Sequence, residues 1–178
     1  MKKLLFLGPF LLLLLGVLSC EKADIDKLLT FYIDDSQTIR IPANSPVGVL
    51  TTLPGVSVTT RSSETFRNNN TSAELVKDVS LNKLTLTITS PSTQTFDFLE
   101  SIELYISTDQ SDQILLASLS SIPRGVRSIE LNSANAKLDK YIKASAFTLT
   151  TKVKASGLLT QEVTIKADSR FKVTADPL

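Results

Sequence analysis

The chain has 178 residues, with 19 basic and 18 acidic side chains and a net charge of +1. Because Lys and Arg are scattered rather than clustered, the sequence carries no nucleic-acid-binding footprint. It contains no histidine and a single cysteine. These absences exclude Ser-His-Asp and Cys-His hydrolase mechanisms, histidine metal sites and any disulfide within the chain.

The first twenty residues have the pattern of an export signal. Two lysines precede an apolar run over Leu4–Leu18, which Pro9 interrupts and which ends at the small residue Ser19. A helix that spans a membrane needs roughly twenty apolar residues, and this run is shorter. A charged start, a short apolar stretch and a small final residue are typical of a secretory signal peptide, here expected as a signal helix.

The end of this segment adds a second motif, in which Val17, Leu18 and Ser19 precede Cys20. The motif resembles the lipobox of bacterial lipoproteins. That resemblance implies that residues 1–19 are removed and that Cys20 becomes a lipidated N-terminus with a diacylglyceryl thioether and an N-acyl chain. Several acyl chains make a stable membrane anchor. The alternative is a plain signal peptide with an incidental cysteine at its end.

Residues 20–27 mix acidic, basic and small side chains, which predicts a solvated tether between the lipid and the fold. Acidic residues directly after a lipidated cysteine resemble a signal for transfer to the outer leaflet, but here they are interrupted, and we favour the tether. Residues 28–178 are predicted to form one domain with its own core.

The domain opens with two β-prone segments, Leu28–Ile33 and Thr38–Ile41, separated by the turn-forming trio Asp34-Asp35-Ser36. This pattern predicts a hairpin. Pro and Gly residues then punctuate residues 43–70, so we expect edge strands there at residues 47–51 and 56–60. The stretch Asn68–Thr71 is predicted to be a polar turn.

A more regular pattern follows. Alternation over residues 83–89 predicts a half-buried strand that stops at Ser90-Pro91, with its partner strand following at once over residues 98–107. The nearly continuous apolar run 114–119 predicts a strand that is buried on both faces or covered by a helix. Residues 126–131 supply another short strand. One short helix is predicted over Ser133–Lys143, where Leu138, Tyr141 and Ile142 share a face.

The final segments alternate strictly. Inward residues run from Phe147 to Ala155, with Thr151 as the one polar intruder, and from Val163 to Val173. If the two strands form a simple hairpin, Ala155 faces Val163 and Phe147 faces Phe171. About nine or ten short strands and one helix predict an all-β fold, a single immunoglobulin-like β-sandwich.

Candidate sites are few. Tyr32, Tyr105 and Tyr141 are the residues that could stack on a sugar ring. Asp24 with Asp26, Asp34 with Asp35, and Asp109 with Asp112 lack the spacing and the glycine of a calcium loop, so we expect surface turns and no metal or other cofactor. The charged outward face of the last strand, with Lys152 and Lys154 on its proposed partner strand, could be a docking surface for an acidic ligand, although a solvated face is the preferred interpretation.

Without a nucleophile elbow or a phosphate loop, we expect no enzymatic activity. The sequence predicts a lipoprotein of the outer membrane, anchored there by its acyl chains. Its domain is expected to be a non-catalytic protein-interaction or assembly module. The alternative is a module that binds a glycan or another small ligand. The expected partners are therefore the membrane and either an envelope protein or a glycan, with no nucleic acid.

Overall fold

The structure is a computed structural model and describes residues 29–176. The predicted signal peptide, the lipobox with Cys20 and the tether lie outside these residues. Within the described part, no helix combines the length and the apolarity needed to cross a membrane. The strands of this part are β1 (Thr30–Ile41), β2 (Leu50–Thr52), β3 (Val56–Thr59), β4 (Val76–Ser90), β5 (Leu99–Ser107), β6 (Ile114–Leu119), β7 (Ser128–Glu130), β8 (Asn132–Ser133), β9 (Ala146–Ala155) and β10 (Val163–Ala175).

The strands form two antiparallel sheets. The four-stranded sheet has the order β1-β10-β4-β7. The six-stranded sheet has the order β2-β9-β5-β6-β8, and β3 also pairs with β9, beside β2. The predicted all-β sandwich is therefore confirmed.

The core fills the space between the sheets, and period-two alternation places it. Every second residue of β10 from Val163 to Ala175 is buried, as is every second residue of β9 from Phe147 to Ala155. Thr151 is 2% exposed, as its inward position predicts. The inward faces of the last two long strands are thus confirmed.

The pairing predicted for those two strands is wrong. β9 pairs with β5, β2 and β3, whereas β10 pairs with β1 and β4. Phe147 and Phe171 therefore lie in opposite sheets and are not hydrogen-bonded neighbours. Alternation identifies which side chains point inward. It does not distinguish a strand beside them in the same sheet from a strand about 10 Å away in the opposite sheet. The pair predicted at residues 83–107 fails for the same reason, since β4 and β5 lie in different sheets.

The hairpin predicted at the start of the domain is also wrong. Residues 30–41 form one strand, which pairs with β10 along its whole length. The trio predicted as a turn stays extended, with Asp34 opposite Arg170 and Ser36 opposite Asp168. Arg170 donates to both carboxylate oxygens of Asp34, at 2.7 and 3.0 Å. Contacts across the ladder outweigh the local turn preference of Asp and Ser.

The predicted edge segments at residues 47–51 and 56–60 correspond to β2 and β3, which are short and both lie along β9. The run 114–119 is β6, but only Leu116 and Ala117 within it are fully buried. The strand predicted at residues 126–131 is the three-residue β7.

Helix α1 (Ser62–Asn68) was not predicted. It buries only Ser62 and Phe66, so its sequence has no apolar periodicity. The predicted polar turn that follows is the end of this helix. Asn70 is left-handed, with φ of 53°, and the amides of Asn70 and Thr71 donate to the carbonyls of Arg67 and Phe66, at 3.1 and 3.0 Å. This is the Schellman arrangement, which suits Asn at its left-handed position.

The predicted helix is shorter than expected. Helix α2 spans Asp139–Lys143, with Leu138 at its N-cap. The face predicted for it is nonetheless correct, because Leu138, Tyr141 and Ile142 are all buried. A short 3-10 turn over Phe96–Phe98 precedes β5.

Candidate functional site

An open cleft of about 530 Å³ lies between the edges of the two sheets, beside β1. β1 forms its wall over residues 32–37, and the end of β3 with the start of α1 forms the opposite wall over residues 58–65. Ile142, Phe147 and Phe171 also line the cleft. We call this space the edge cleft.

The floor of the edge cleft is apolar. Phe147 of β9 and Phe171 of β10 enter it from opposite sheets, and both are nearly completely buried. Val58, at the end of β3, and Ile142 of α2 are buried beside them. A ligand or side chain that entered the cleft would therefore meet aromatic and aliphatic surface at its base.

The β1 wall is polar at two inward positions. On this strand the inward residues Ile39 and Ile41 are buried, while Asp35 and Gln37 are only partly covered. The Nε2 group of Gln37 donates to both carboxylate oxygens of Asp35, each at 3.1 Å. Polar residues are tolerated at these inward positions because this stretch faces the open cleft rather than the packed core.

The opposite wall is fixed by hydrogen bonds to α2 and its flank. Thr60 donates from its hydroxyl to the carbonyl of Ala144 at 2.6 Å and from its amide to the carbonyl of Ser145 at 2.9 Å. Arg61 follows at the rim, with its side chain exposed. Phe66 of α1 packs against β1, where its ring meets that of Phe31 edge-on at 6.1 Å.

The free side of β1 borders the same cleft. Among the described residues, β1 pairs only with β10 and ends the four-stranded sheet. Alternate residues of an edge strand turn their amide and carbonyl groups away from the ladder, so β1 presents a row of open backbone groups over residues 31–41. The opposite edge strand, β7, has 3 residues.

The outer face of the four-stranded sheet carries a shallower groove, lined by Asp34, Lys83, Asp168, Arg170 and neighbouring small residues. Its charges are paired internally. The hydrogen bond from Arg170 lowers the pKa of Asp34, and that from Lys166 lowers the pKa of Asp168. Lys83 lies 3.4 Å from Glu130. This groove offers little unpaired charge to a ligand.

The three candidate stacking residues are not brought together. Tyr32 is 48% exposed on the outer face of β1, with the Arg170 guanidinium 5.6 Å from its ring centre. Tyr105 lies on the other sheet, where Lys152 covers its ring at 4.4 Å and its hydroxyl donates to Glu103 at 2.7 Å. Tyr141 is 5% exposed and donates to the carbonyl of Asp112, so it offers no ring face to a ligand.

The acidic pairs within the described residues have structural partners. Asp112 accepts hydrogen bonds from the amides of Thr108 and Asp109 and lies 2.7 Å from Lys140. Desolvation opposes ionisation of Asp112, but these donors outweigh it and hold its pKa well below the ordinary value. Asp109 accepts from Ser111. Over residues 29–176, no group of three or more acidic residues is arranged to hold a metal ion.

The charged face predicted across the last two strands is wrong, because β9 and β10 lie in different sheets. Lys154 lies 2.7 Å from a carboxylate oxygen of Glu100, and the ammonium group of Lys152 stacks on Tyr105. Both lysines are therefore engaged by neighbours on the same sheet. The edge cleft, with the free side of β1, is the feature that sequence reasoning missed, because it joins segments more than a hundred residues apart.

Comparisons with known proteins add little. No family model and no curated protein matches the chain. Among solved structures, the chain is similar to a chain of turnip yellow mosaic virus, at 12% identity over 83% of both chains and a TM-score of 0.29. It is similar to a chain of Desmodium yellow mottle tymovirus at 17% identity, over 83% of this chain and 84% of that one, with a TM-score of 0.24. Similarities this distant assign no function.

Proposed function

We propose that the protein is a lipid-anchored lipoprotein of the outer membrane whose domain is a non-catalytic assembly module. In this proposal, the free side of β1 accepts an extended strand from a protein partner, and the edge cleft receives alternate side chains of that strand. The observation that carries it is the contrast between a 12-residue edge strand and the short strands at the other sheet edges.

The backbone supplies the binding energy in this mode. A strand added to a sheet edge gains main-chain hydrogen bonds, and pockets for its alternate side chains provide specificity. β1 offers the open backbone groups, and the floor formed by Phe147 and Phe171 offers the apolar pocket. Both features belong to one surface, which favours a polypeptide over a small ligand.

The predicted anchor supports the same proposal. β1 begins at Thr30, shortly after the tether that would follow a lipidated Cys20. An extended segment over residues 21–29 spans at most about 30 Å. The start of β1 would therefore stay close to the membrane surface, where other anchored proteins are concentrated.

Photo-crosslinking in intact cells tests this function. A benzophenone amino acid at Thr38, which is exposed on β1, should give a discrete adduct with one envelope protein. The matched control places the same probe at Ser128 on β7, which is also exposed and should give no adduct. Equal labelling from both positions, or no adduct from Thr38, would contradict the proposal. Labelled palmitate that is still incorporated after Cys20→Ser would contradict the anchor.

A glycan or another polar small ligand in the edge cleft is the second candidate. The observation that favours it is the pair of Asp35 and Gln37 on the wall of the edge cleft, because the hydroxyl groups of a sugar bind carboxylates and amides. A glycan array would show hits that Gln37→Ala abolishes. An array without hits would exclude this candidate while leaving the strand-accepting function intact.

A further inference from the structure

The sequence of β1 is not a palindrome, but it places chemically compatible residues on either side of Ser36. When the strand is read outwards from this residue in both directions, residues of compatible chemistry occur at equal distances. The resulting pairs are Asp35 with Gln37, Asp34 with Thr38, Ile33 with Ile39, Tyr32 with Arg40, and Phe31 with Ile41. An antiparallel pairing of the strand with its own copy requires such compatibility, because a two-fold axis places these positions opposite each other.

Together with the free side of β1, this compatibility indicates that the partner strand is a second copy of β1. We propose that β1 pairs antiparallel with β1 of a second copy of this chain, with Ser36 on the two-fold axis, which joins the two four-stranded sheets into one continuous sheet. This inference rests on the proposed strand-accepting function and specifies its partner.

The inward face is complementary in this register. Asp35, whose carboxylate already binds the Gln37 amide of its own strand, would lie opposite Gln37 of the second copy. Ile33 is only partly covered and would gain Ile39 of the other strand as its neighbour. The edge cleft provides space for these contacts, since residues 33–37 line it.

The outer face is complementary as well. Tyr32 is 48% exposed and would lie opposite Arg40 of the second copy, an arrangement that suits a cation–π contact. Asp34 would lie opposite Thr38, whose hydroxyl can donate to it. No pair in this register opposes two like charges.

Shifted registers are disfavoured. Inward residues of one strand must lie opposite inward residues of the other, so the register can shift only by two residues at a time. Each such shift moves the two-fold axis to the neighbouring residue. An axis at Asp35 places two carboxylates opposite each other, and like charges directly opposite are destabilising. An axis at Gln37 pairs Asp34 with Arg40 on the outer face, but it also places Asp35 opposite Ile39 on the inward face, which leaves that carboxylate beside an aliphatic side chain. An inward charge on an edge strand commonly prevents pairing. Here Asp35 destabilises the shifted registers, whereas in the register centred on Ser36 its carboxylate lies opposite the Gln37 amide.

Cysteine crosslinking in intact cells tests the register. Ser36→Cys places a thiol on the axis, so mild oxidation should convert most of the protein into a disulfide-linked homodimer. Thr38→Cys is the matched control, because it alters the next outward residue of the same strand. In the proposed register, two copies of residue 38 are four residues apart along the strands, about 14 Å. A disulfide requires Cα atoms within about 7 Å, so this variant alone should not crosslink.

Co-expression sharpens the test. Asp34→Cys and Thr38→Cys, each silent alone, should form a mixed disulfide when the two tagged variants are expressed together. The parent chain, with Cys20 only, measures background oxidation. If Ser36→Cys crosslinks no more than Thr38→Cys or the parent chain, self-pairing is wrong. Increased dimerisation after Asp35→Asn would also overturn it, because Asp35 would then act only as a block to pairing.

The outcomes separate this inference from the proposed function. If the probe at Thr38 captures a different envelope protein while Ser36→Cys stays monomeric, β1 accepts a strand but not its own copy. If neither experiment gives an adduct, both the strand-accepting function and the self-pairing are wrong.

Discussion

The two edges of the four-stranded sheet differ sharply. β7 ends one side with 3 residues and pairs with β4 at Thr85–Thr87, whereas β1 ends the other with 12 residues that pair with β10 throughout. Short edge strands limit association with other chains, and long ones invite it. The contrast indicates that the fold protects one side and leaves the other available for a partner.

β1 also differs from β10, its only pairing partner among the described residues. β10 is paired on both sides, and its inward residues are buried from end to end. The inward residues of β1 are buried only at Ile39 and Ile41, and those nearer its start are partly covered. The centre of the sheet therefore carries stability, and its edge carries the recognition we propose.

The largest expected effect is at the centre of the sheet. Phe171 is 1% exposed, so Phe171→Ala should lower the free energy of unfolding by about 3–5 kcal/mol. Ile33 lies opposite it on β1 but is only partly covered, and Ile33→Ala should cost about 1 kcal/mol. Chemical denaturation of the two variants measures this difference. Equal losses would show that β1 is not an open edge.

The next effect concerns association rather than folding. Gln37→Glu would place a carboxylate opposite Asp35 of a second copy, twice per dimer. Like charges directly opposite cost roughly 0.2–1 kcal/mol per pair, so the dissociation constant should rise about 2- to 30-fold. Sedimentation of the detergent-solubilised protein measures it. Gln37→Asn is the uncharged control and should leave the dissociation constant close to that of the wild type.

A smaller effect is expected at the end of α1, the helix whose first residues line the edge cleft. Asn70 is left-handed, a conformation that costs most other residues roughly 1–2 kcal/mol. Asn70→Ala should therefore destabilise the protein by about 1 kcal/mol, while Asn70→Gly should be neutral or slightly stabilising. Thermal unfolding of both variants tests this, and equal destabilisation would contradict the role of the left-handed position.

The smallest effect is at the exposed pair Asp34–Arg170. The two side chains are 61% and 52% exposed, and exposed pairs contribute about 0–1 kcal/mol. Arg170 lowers the pKa of Asp34, so the stabilisation is present above the ordinary pKa of Asp and is lost as the pH falls through the lower folded-state value. Asp34→Asn should thus cost a few tenths of a kcal/mol at pH 7, and the difference from wild type should vanish in strong acid.

Sequence patterns predicted the faces of the strands better than their neighbours. Alternation correctly placed Phe147, Thr151 and Phe171 inward, since it reflects burial alone. It could not distinguish a lateral partner from a strand across the sandwich, which is why the final hairpin was wrong. The turn predicted at Asp34-Asp35-Ser36 failed because local preference yields to a full-length ladder with β10.

The edge cleft was beyond the sequence for a related reason. It depends on residues 32–37, 58–65, 147 and 171 lying together, and no local pattern joins them. α1, which forms part of its wall, buries only two side chains. The compatible pairs about Ser36, by contrast, are present in the sequence. They indicate self-pairing only once residues 30–41 are known to be one strand.

Hydrogen exchange tests the central claim most directly, when the protein is anchored in vesicles as we propose and low and high protein-to-lipid ratios are compared. If β1 is the interaction edge, about half of its amides, those that point away from β10, should exchange rapidly at low density and slow markedly at high density. Exchange at Ser128–Glu130 of β7 should not change. Equal exchange of the β1 amides at both densities would contradict the account.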